Sequence, residues 1–546
     1  MPIQNLFFPS LLVVSLLPFA SAASTSATFA HEGPAGHSHR PAAEGVGSFT
    51  AIGVVYEDLN GNRIRDPDEP GLPNIRVSSG ADIVATDADG KYELTISDDA
   101  IVFVIKPSGW ATPLNVNNLP QFYYIHKPAG SPPDFQFAGV APTGPLPASI
   151  DFPLTRQAEP QTFKVLMFGD PQPRDLREVQ FIAHDVIEQI VQENAHDASF
   201  GVTLGDIAFN DLDTLGPLNQ SIALIGIPWY NVIGNHDLNF EALHDQHSDE
   251  TFERVYGPNY YSFDYGSTHF LVLDDVTWVG ASEANKGHYY GGLGERQMEF
   301  IRNDLAAIPE EQLVVLMMHI PLTDVEDRHE LYRLIEQRPA AVSISAHAHY
   351  MEHRLIDAQD DWQGPEPHHH IVNVTVCGSW WRGQPDERGI PHTTMKDGAP
   401  NGYSIMEFDG RHYSMEFRAA GRPASNQMNI YAPEVMSRHT LATTVVLANV
   451  FAAGPQTVCE LRVGDSEWVA MERVTAEDPN YAAETAREVA LGDKAWVGLP
   501  APRATPHMYR SLLPTKLVPG THQIEVRARD PHAPEVVGTR IFRLEN

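Results

Sequence analysis

The rhythm of hydrophobic and polar positions changes twice along the chain, and each change predicts a different architecture. From Phe49 to about Leu154, short β-rich runs (TAIGVVYE, IRVSSG, KYELTI, AIVFVIKP) are separated by turn sequences such as GLPN and DADG. Runs and turns at that spacing predict a small β-sandwich over residues 48–155. Over residues 156–422, buried-looking strands (FKVLMF, ASFGVTL, PWYNVI, HFLVLD, LVVLMM, AVSIS) alternate with amphipathic stretches, which predicts a layered α/β domain. The clearest helix follows Arg174, with Val179, Ile182, Val186, Ile187, Ile190 and Val191 expected on one core-facing side. Over residues 423–546 the chain returns to strands (TTVVLANVF, TVCELRV, EWVAMERV, HQIEVRARD, TRIFRLEN), predicting a second β-sandwich.

Ahead of these domains, an apolar run from Leu6 to Phe19 ends in Ala20-Ser21-Ala22. That reads as a secretory signal over residues 1–22, although it lacks the usual early Lys or Arg, and it implies a secreted or periplasmic protein. The rival reading, a membrane anchor, needs roughly 20 apolar residues, more than this run supplies. No later segment is long and apolar enough to span. Residues 23–47, with His31, His37 and His39, read as a flexible leader.

Charge and cysteine content narrow the partners. The 546 residues carry 37 Lys and Arg against 71 Asp and Glu, a net charge of −34, which opposes binding to nucleic-acid polymers and anionic membranes. Two cysteines exclude a disulfide scaffold and a four-cysteine zinc module. Cys377 and Cys459 either pair in an oxidising compartment or stay as buried thiols.

Two sets of residues have the composition of metal sites. In the first sandwich, Asp58, Asn60, Asn62, Ile64, Asp66 and Glu69 stand at the spacing of an EF-hand calcium loop. Arg63 replaces the usual glycine and no helices flank the loop, so a structural calcium and a polar turn both remain open. In the central domain, short motifs follow the apolar strands: Gly169-Asp170-Pro171-Gln172, Gly205-Asp206, Gly234-Asn235-His236-Asp237, Met318-His319 and Ala346-His347-Ala348-His349. Each puts a ligand-type side chain at the carboxyl edge of a sheet, where open α/β folds hold their ligands. Carboxylates, amides and imidazoles in this mixture suit two divalent cations, with Asp206 able to bridge them. Such a centre polarises a phosphoryl group and activates water, with His236 placed to protonate the leaving alkoxide.

These motifs, in this order, resemble the calcineurin-like metallophosphoesterase superfamily, whose usual pattern is D-x-H, GD, GNH[DE], H, GHxH. FYYIHKPAGSP, Gly378-Ser379-Trp380-Trp381 with DGAPNGY, and VPGTHQIEVRARD extend the likeness to a secreted bacterial branch with β domains on both sides of the catalytic domain. The resemblance implies an α/β (α+β) core layered αββα, flanked by two small all-β sandwich domains. It implies one metal on Asp170, Gln172, Asp206 and His349, a second on Asp206, Asn235, His319 and His347, and His236 as the acid. Gln172 stands where the family has histidine, which favours Mn or Mg over softer metals within a Mn, Fe, Zn or Mg range and weakens that site. Ala346 stands in place of a glycine.

The reading that follows is a secreted metal-dependent phosphatase or phosphodiesterase acting on a small organophosphate. The alternative is a catalytically inactive cell-surface binding protein on the same fold. Asn210 and Asp211 are candidates to orient His236 or the substrate. Trp380, Trp381 and Arg382 are candidates to grip the substrate, against a purely structural role for the tryptophans. Tyr289 and Tyr290 carry the same ambiguity. Arg174, Arg328 and Arg382 are candidate partners for a monoester dianion. The triplet His368-His369-His370 is expected on an edge strand. Ester preference and oligomeric state are not written in the sequence.

Overall fold

Along strand Thr162–Phe168, Phe163, Val165 and Met167 enter one hydrophobic core while Leu166 and Phe168 enter another. Side chains alternate across a strand, so burial on both sides means that both sheet faces are covered. This strand is the middle of a five-stranded sheet, in the order Trp229–Val232, Ala198–Leu204, Thr162–Phe168, Gly402–Asp409, His412–Ala419, whose first three strands are parallel. A six-stranded sheet packs against it, in the order Tyr261–Tyr265, Thr268–Val272, Leu313–Met317, Ala341–Ser345, His368–Val372, Glu352–Ile356, with the middle four parallel. Tyr230 stacks on Phe263 at 4.1 Å and Phe200 meets Phe270 edge-on at 5.2 Å across the inner faces. Helix Leu176–Ile182 and its continuation cover the first sheet, and Gly294–Ala306 and Arg328–Ile335 cover the second. The central domain is therefore the expected αββα sandwich. A parallel bridge between Gly169 and Thr375 joins the carboxyl ends of the two sheets.

The computed structural model describes residues 47–282 and 286–546. The expected signal and the leader histidines lie outside the described residues. Among the described residues, no helix is long and apolar enough to cross a membrane.

Three local expectations need correction. The helix after Arg174 contains a π-turn at Ala183–Ile187, and the wider turn shifts the phase of everything beyond it. Val191 consequently leaves the apolar face and is 45% exposed. His368–Val372 is not an edge strand: Glu352–Ile356 covers that side, and all three histidines are buried. Their ring nitrogens are held by Ser343, Tyr413 and His353 instead of by water. The carboxy-terminal domain also contains a 13-residue helix, Pro479–Leu491. Its signal was legible, because Asp478 caps it and Pro479 opens it.

The amino-terminal sandwich, built from two four-stranded sheets, is fastened to the central domain by buried ion pairs. Arg76 bridges Asp264 at 2.9 Å and Asp304 at 2.7 Å, and His269 joins the same two carboxylates at 2.7 and 2.8 Å. Lys127 meets Glu250 at 2.5 Å and Glu253 at 2.9 Å. Removing one partner would leave a buried charge uncompensated, so such pairs fix which surfaces dock. On the other side, Asp397 accepts from the Met351 amide at 2.8 Å and faces His507 of the carboxy-terminal sandwich at 3.2 Å.

Two buried histidines set opposite pH limits on stability. Burial disfavours charge on His269, but Asp304 and Asp264 outweigh it and raise its pKa to about 9. Its contribution is complete below the unfolded value near 6.5 and is lost as pH rises through 9. Burial lowers His368 to about 4, so its contribution is present above 6.5 and is lost as pH falls towards 4. Thermal melting should therefore be highest around pH 6.5. His269→Asn should flatten the alkaline limb and His368→Asn the acid limb; unchanged limbs in the variants would contradict this assignment.

Candidate metal centre

The site lies where the parallel strands of both sheets end. Asp170 follows Thr162–Phe168, Asp206 follows Ala198–Leu204, and Asn235 follows Trp229–Val232. His319 follows Leu313–Met317, and His347 and His349 follow Ala341–Ser345. The strands stop abruptly because the ligand loops adopt left-handed backbone: Asp170 (φ 37°), Gln172 (47°), Asp206 (47°), His347 (63°) and His349 (53°). Each costs on the order of 1–3 kcal/mol, and such strain persists only where the surroundings enforce it. Close approach adds a glycine requirement. A Cβ on Gly205 would lie 2.5 Å from His319 Nδ1, and one on Gly234 would lie 2.0 Å from the Asp206 nitrogen. Ala346 is tolerated because it faces Gly169, where a Cβ would stand 3.0 Å from its methyl group.

The donor atoms converge with lone pairs facing one another. His319 donates through Nδ1 to the Leu204 carbonyl at 2.9 Å, which turns Nε2 inward. That nitrogen lies 3.1 Å from Asn235 Oδ1, 3.1 Å from His347 Nδ1 and 3.3 Å from Asp206 Oδ1. Asp206, His319 and His347 form a cluster with metal-ligand spacing. On the other side, His349 donates through Nδ1 to the Gly378 carbonyl at 2.6 Å and presents Nε2 to Asp170 Oδ2 at 3.2 Å. Asp170 Oδ2 is buried and has no hydrogen-bond partner among the described residues. Inward-facing lone pairs and an unpaired buried carboxylate oxygen repel unless a cation lies among them, so the donor set fits divalent metal. The same carboxylates favour positive charge here: burial opposes charge on His319, yet Asp206 raises its pKa to about 10. Burial, then repulsion from His319, lowers His347 to about 4.

Two carboxylates outside the expected set hold these loops. Asp237 accepts from the amides of Ala208 at 2.8 Å, Gly234 at 2.9 Å and Ile207 at 3.1 Å, tying the Gly205 and Gly234 loops together. Asp275 accepts from the amides of His319 and Ile320, both at 3.1 Å. Their signals were Asp237 in GNHD and the Asp-Asp pair closing the strand around HFLVLD. Neither spacing distinguishes a loop anchor from a ligand.

The remaining candidates separate. His236 donates its amide to Asp206 Oδ1 at 2.8 Å, stacks on Phe209 at 4.4 Å, and pairs Nδ1 with Asn210 Oδ1 at 2.6 Å. Asn210 therefore positions the expected acid. Asp211 instead caps the turn Leu212–Thr214, accepting from the Asp213 amide at 3.2 Å. Gln172 reaches the site but offers its amide nitrogen to Asp206 Oδ2 at 2.7 Å, while its oxygen faces the Cys377 thiol at 3.6 Å. As placed, it braces the bridging carboxylate and presents no oxygen to a metal, which departs from the expected ligand role. Trp380 stacks on His349 at 3.9 Å, and Arg382 lies over its ring at 5.3 Å. Trp381 does not join them: it is buried, donates to the Pro171 carbonyl at 3.2 Å and packs on Phe181. Tyr289 stands edge-on to His347 at 6.1 Å. Arg174 pairs with Glu178 and donates to the Trp380 carbonyl at 2.9 Å, fixing that loop.

Both cysteines are buried free thiols, so they do not pair. Cys377 lies beside His349 and Gln172, and Cys459 against Met471. The first-sandwich loop does gather Asp58, Asn60, Asn62, Ile64, Asp66 and Glu69 into one turn. Its oxygens accept from the loop's own amides, and Asn60 and Asn62 point nitrogen at Asp66 at 2.7 and 3.0 Å.

Comparison with known proteins places the sequence in a family. Three family models match in succession: the N terminal of calcineurin-like phosphoesterase over residues 58–141, calcineurin-like phosphoesterase over 163–351, and the C terminal of calcineurin-like phosphoesterase over 370–535. A probable glycerophosphodiester phosphodiesterase of Arcobacter nitrofigilis is 28% identical over 121 residues, 22% of this chain and 40% of that protein. The match thus spans less than half of that relative's length. Among solved structures, a dimetal phosphatase from Danio rerio aligns at 14% identity and TM-score 0.34, over 47% of this chain and 96% of its own. A purple acid phosphatase from yellow lupin aligns at 13% identity and TM-score 0.36, over 70% of this chain and 68% of its own. The successive family matches cover the metal-ligand motifs and both flanking domains. The chain belongs to the calcineurin-like metallophosphoesterases, a superfamily of metal-dependent phosphoric ester hydrolases.

Proposed function

We propose that this protein is an exported hydrolase of small organophosphate esters that works with two divalent cations. The observation that carries the reading is the convergence of Asp170, Asp206, Asn235, His319, His347 and His349 with their lone pairs inward. The apolar run ending at Ala22 supports export. The completeness of the donor set counts against an inactive binding protein, since a decayed site would have lost a ligand. Bound divalent cations supply Lewis-acid polarisation of the phosphoryl oxygens and a water acidic enough to act as nucleophile.

The chain's own residues do the rest. Asp206 holds the His236 amide, Asn210 takes up its Nδ1, and Phe209 fixes the ring plane, leaving Nε2 to carry a proton to the leaving alkoxide. Gln172 braces Asp206 where an imidazole ligand would otherwise stand, which leaves that side of the site with His349 as its nitrogen donor beside carboxylate oxygens and favours a Mn-like ion. In the first sandwich, the oxygen-rich turn from Asp58 to Glu69 is suited to a structural calcium, which would raise melting temperature without altering turnover.

Activity on p-nitrophenyl phosphate or its bis-ester should vanish with chelator and return with Mn. Asp206→Ala and His319→Ala should lose metal and turnover together. His236→Ala should keep metal and slow turnover on the order of 10²–10⁴-fold. Full activity of His236→Ala on esters with poor leaving groups would remove it as the acid. Asp275→Asn should weaken metal affinity about 10–100-fold, measured by metal release to a chromogenic chelator, because it loosens the His319 loop.

A further inference from the structure

The chain is strongly acidic, yet three cations gather beside the metal-ligand His349 with fewer carboxylates than would neutralise them among the described residues. Trp380 stacks on His349 at 3.9 Å. Over the Trp380 ring lie the Arg382 guanidinium at 5.3 Å and the Lys396 ammonium at 5.4 Å. Lys396 is also 5.8 Å from the Tyr350 ring, and the Arg503 guanidinium stacks on that ring at 3.8 Å. Among the described residues, neither Arg382 nor Lys396 has a carboxylate at ion-pair distance, and Arg382 Nε is buried with no hydrogen-bond partner. Arg503 is 3.8 Å from Glu352, whose carboxylate is already engaged by Arg354 at 3.2 Å. Like charge crowds here: burial, then repulsion from Arg503, lowers the Lys396 pKa, and burial, then Arg174, lowers that of Arg382.

Three cations packed on two aromatic rings, with one shared carboxylate among them, form a surface with an excess of positive charge that an anion would offset. They come from two parts of the chain. Arg382 and Lys396 lie in the loops after His368–Val372, whereas Arg503 precedes strand Thr505–Leu512 of the carboxy-terminal sandwich. The Arg503 amide donates to the Lys396 carbonyl at 2.9 Å, so the carboxy-terminal sandwich is joined to the loop that carries Lys396.

We propose that Arg382, Lys396 and Arg503, set on Trp380 and Tyr350, form an anion subsite for a second negatively charged group of the substrate, separate from the phosphoryl group being cleaved. The substrate class is then a small phosphoester whose alcohol portion carries a carboxylate or a further phosphate. The carboxy-terminal sandwich acts in specificity by supplying Arg503. This rests on the hydrolase reading above and deepens it. The group lost from the phosphorus is the alcohol, protonated as it leaves, and the second anion stays on that alcohol throughout.

The test compares two esters of similar size on the metal-loaded full chain, glycerol 3-phosphate and 3-phosphoglycerate, which differ by a carboxylate. The wild type should favour 3-phosphoglycerate in kcat/KM. Lys396→Gln, Arg382→Gln and Arg503→Gln should each reduce that preference about tenfold, the size of one charge-assisted hydrogen bond. Most of the change should appear in KM, and rising salt should erode the preference further. Arg503 is 44% exposed, so its variant keeps the fold out of question. Equal rates on both esters, or variants that slow both alike, would overturn the subsite while leaving the hydrolase intact. Failure of the wild type on both of these esters and on the chromogenic esters would instead remove the hydrolase reading itself.

Discussion

Buried lone pairs that face one another must share a cation, and the central domain is arranged around that requirement. His319 Nε2 and His349 Nε2 point inward because their Nδ1 atoms are committed to the Leu204 and Gly378 carbonyls. Asp170 Oδ2 is buried without a donor among the described residues, and Asp206 is shared among His319, His236 and Gln172. Such a cluster would be costly in an apolar interior, and bound metal reverses the sign of that cost. Backbone strain at Asp170, Asp206, His347 and His349 is part of the same arrangement. The loops are forced into left-handed turns so that donors from both sheets meet, and the Asp237 and Asp275 carboxylates hold them there through backbone amides.

The flanking domains contribute differently. Arg76, Lys106 and Lys127 dock the amino-terminal sandwich through buried ion pairs with Asp304, Glu159 and Glu250. Its role is support, with surfaces selected by charge that cannot be left unpaired. The carboxy-terminal sandwich reaches the site. His507 and Asn449 hold Asp397 and its carbonyl, and Arg503 lies on Tyr350, one residue beyond His349. Arg382, Lys396 and Arg503 gather on Trp380 and Tyr350 there, although the chain as a whole carries a net charge of −34.

Much of this was legible in the sequence because it is local. A glycine followed by an aspartate after an apolar strand states both that the chain turns and that a ligand stands at the turn. Two Gly-Asp motifs, one Gly-Asn-His-Asp and two histidine motifs, each after a strand, specify the sheet edge and the candidate donors together. The αββα layering followed from strands buried on both faces alternating with amphipathic helices. Facing was harder to read. Trp380 and Trp381 are adjacent and chemically equivalent, yet successive left-handed residues send one ring onto His349 and the other into the core. Gln172 and Asp211 have ligand chemistry but spend it on Asp206 and on a helical turn. Val191 moved off its helix face because a π-turn changed the period upstream.

By itself, then, the sequence determined the family and placed Asp170, Asp206, Asn235, His236, His319, His347 and His349 together at the strand ends, since each is written within a few residues of one. Only the tertiary structure decided which neighbours use those side chains. It turned Gln172 towards Asp206, kept Cys377 and Cys459 apart as buried thiols, and brought Arg503 beside Lys396 across more than a hundred residues of chain. The physical reason is that hydrogen bonds and charge pairs depend on distance and direction in space. Local spacing fixes these within one turn or strand, and packing between domains fixes the rest.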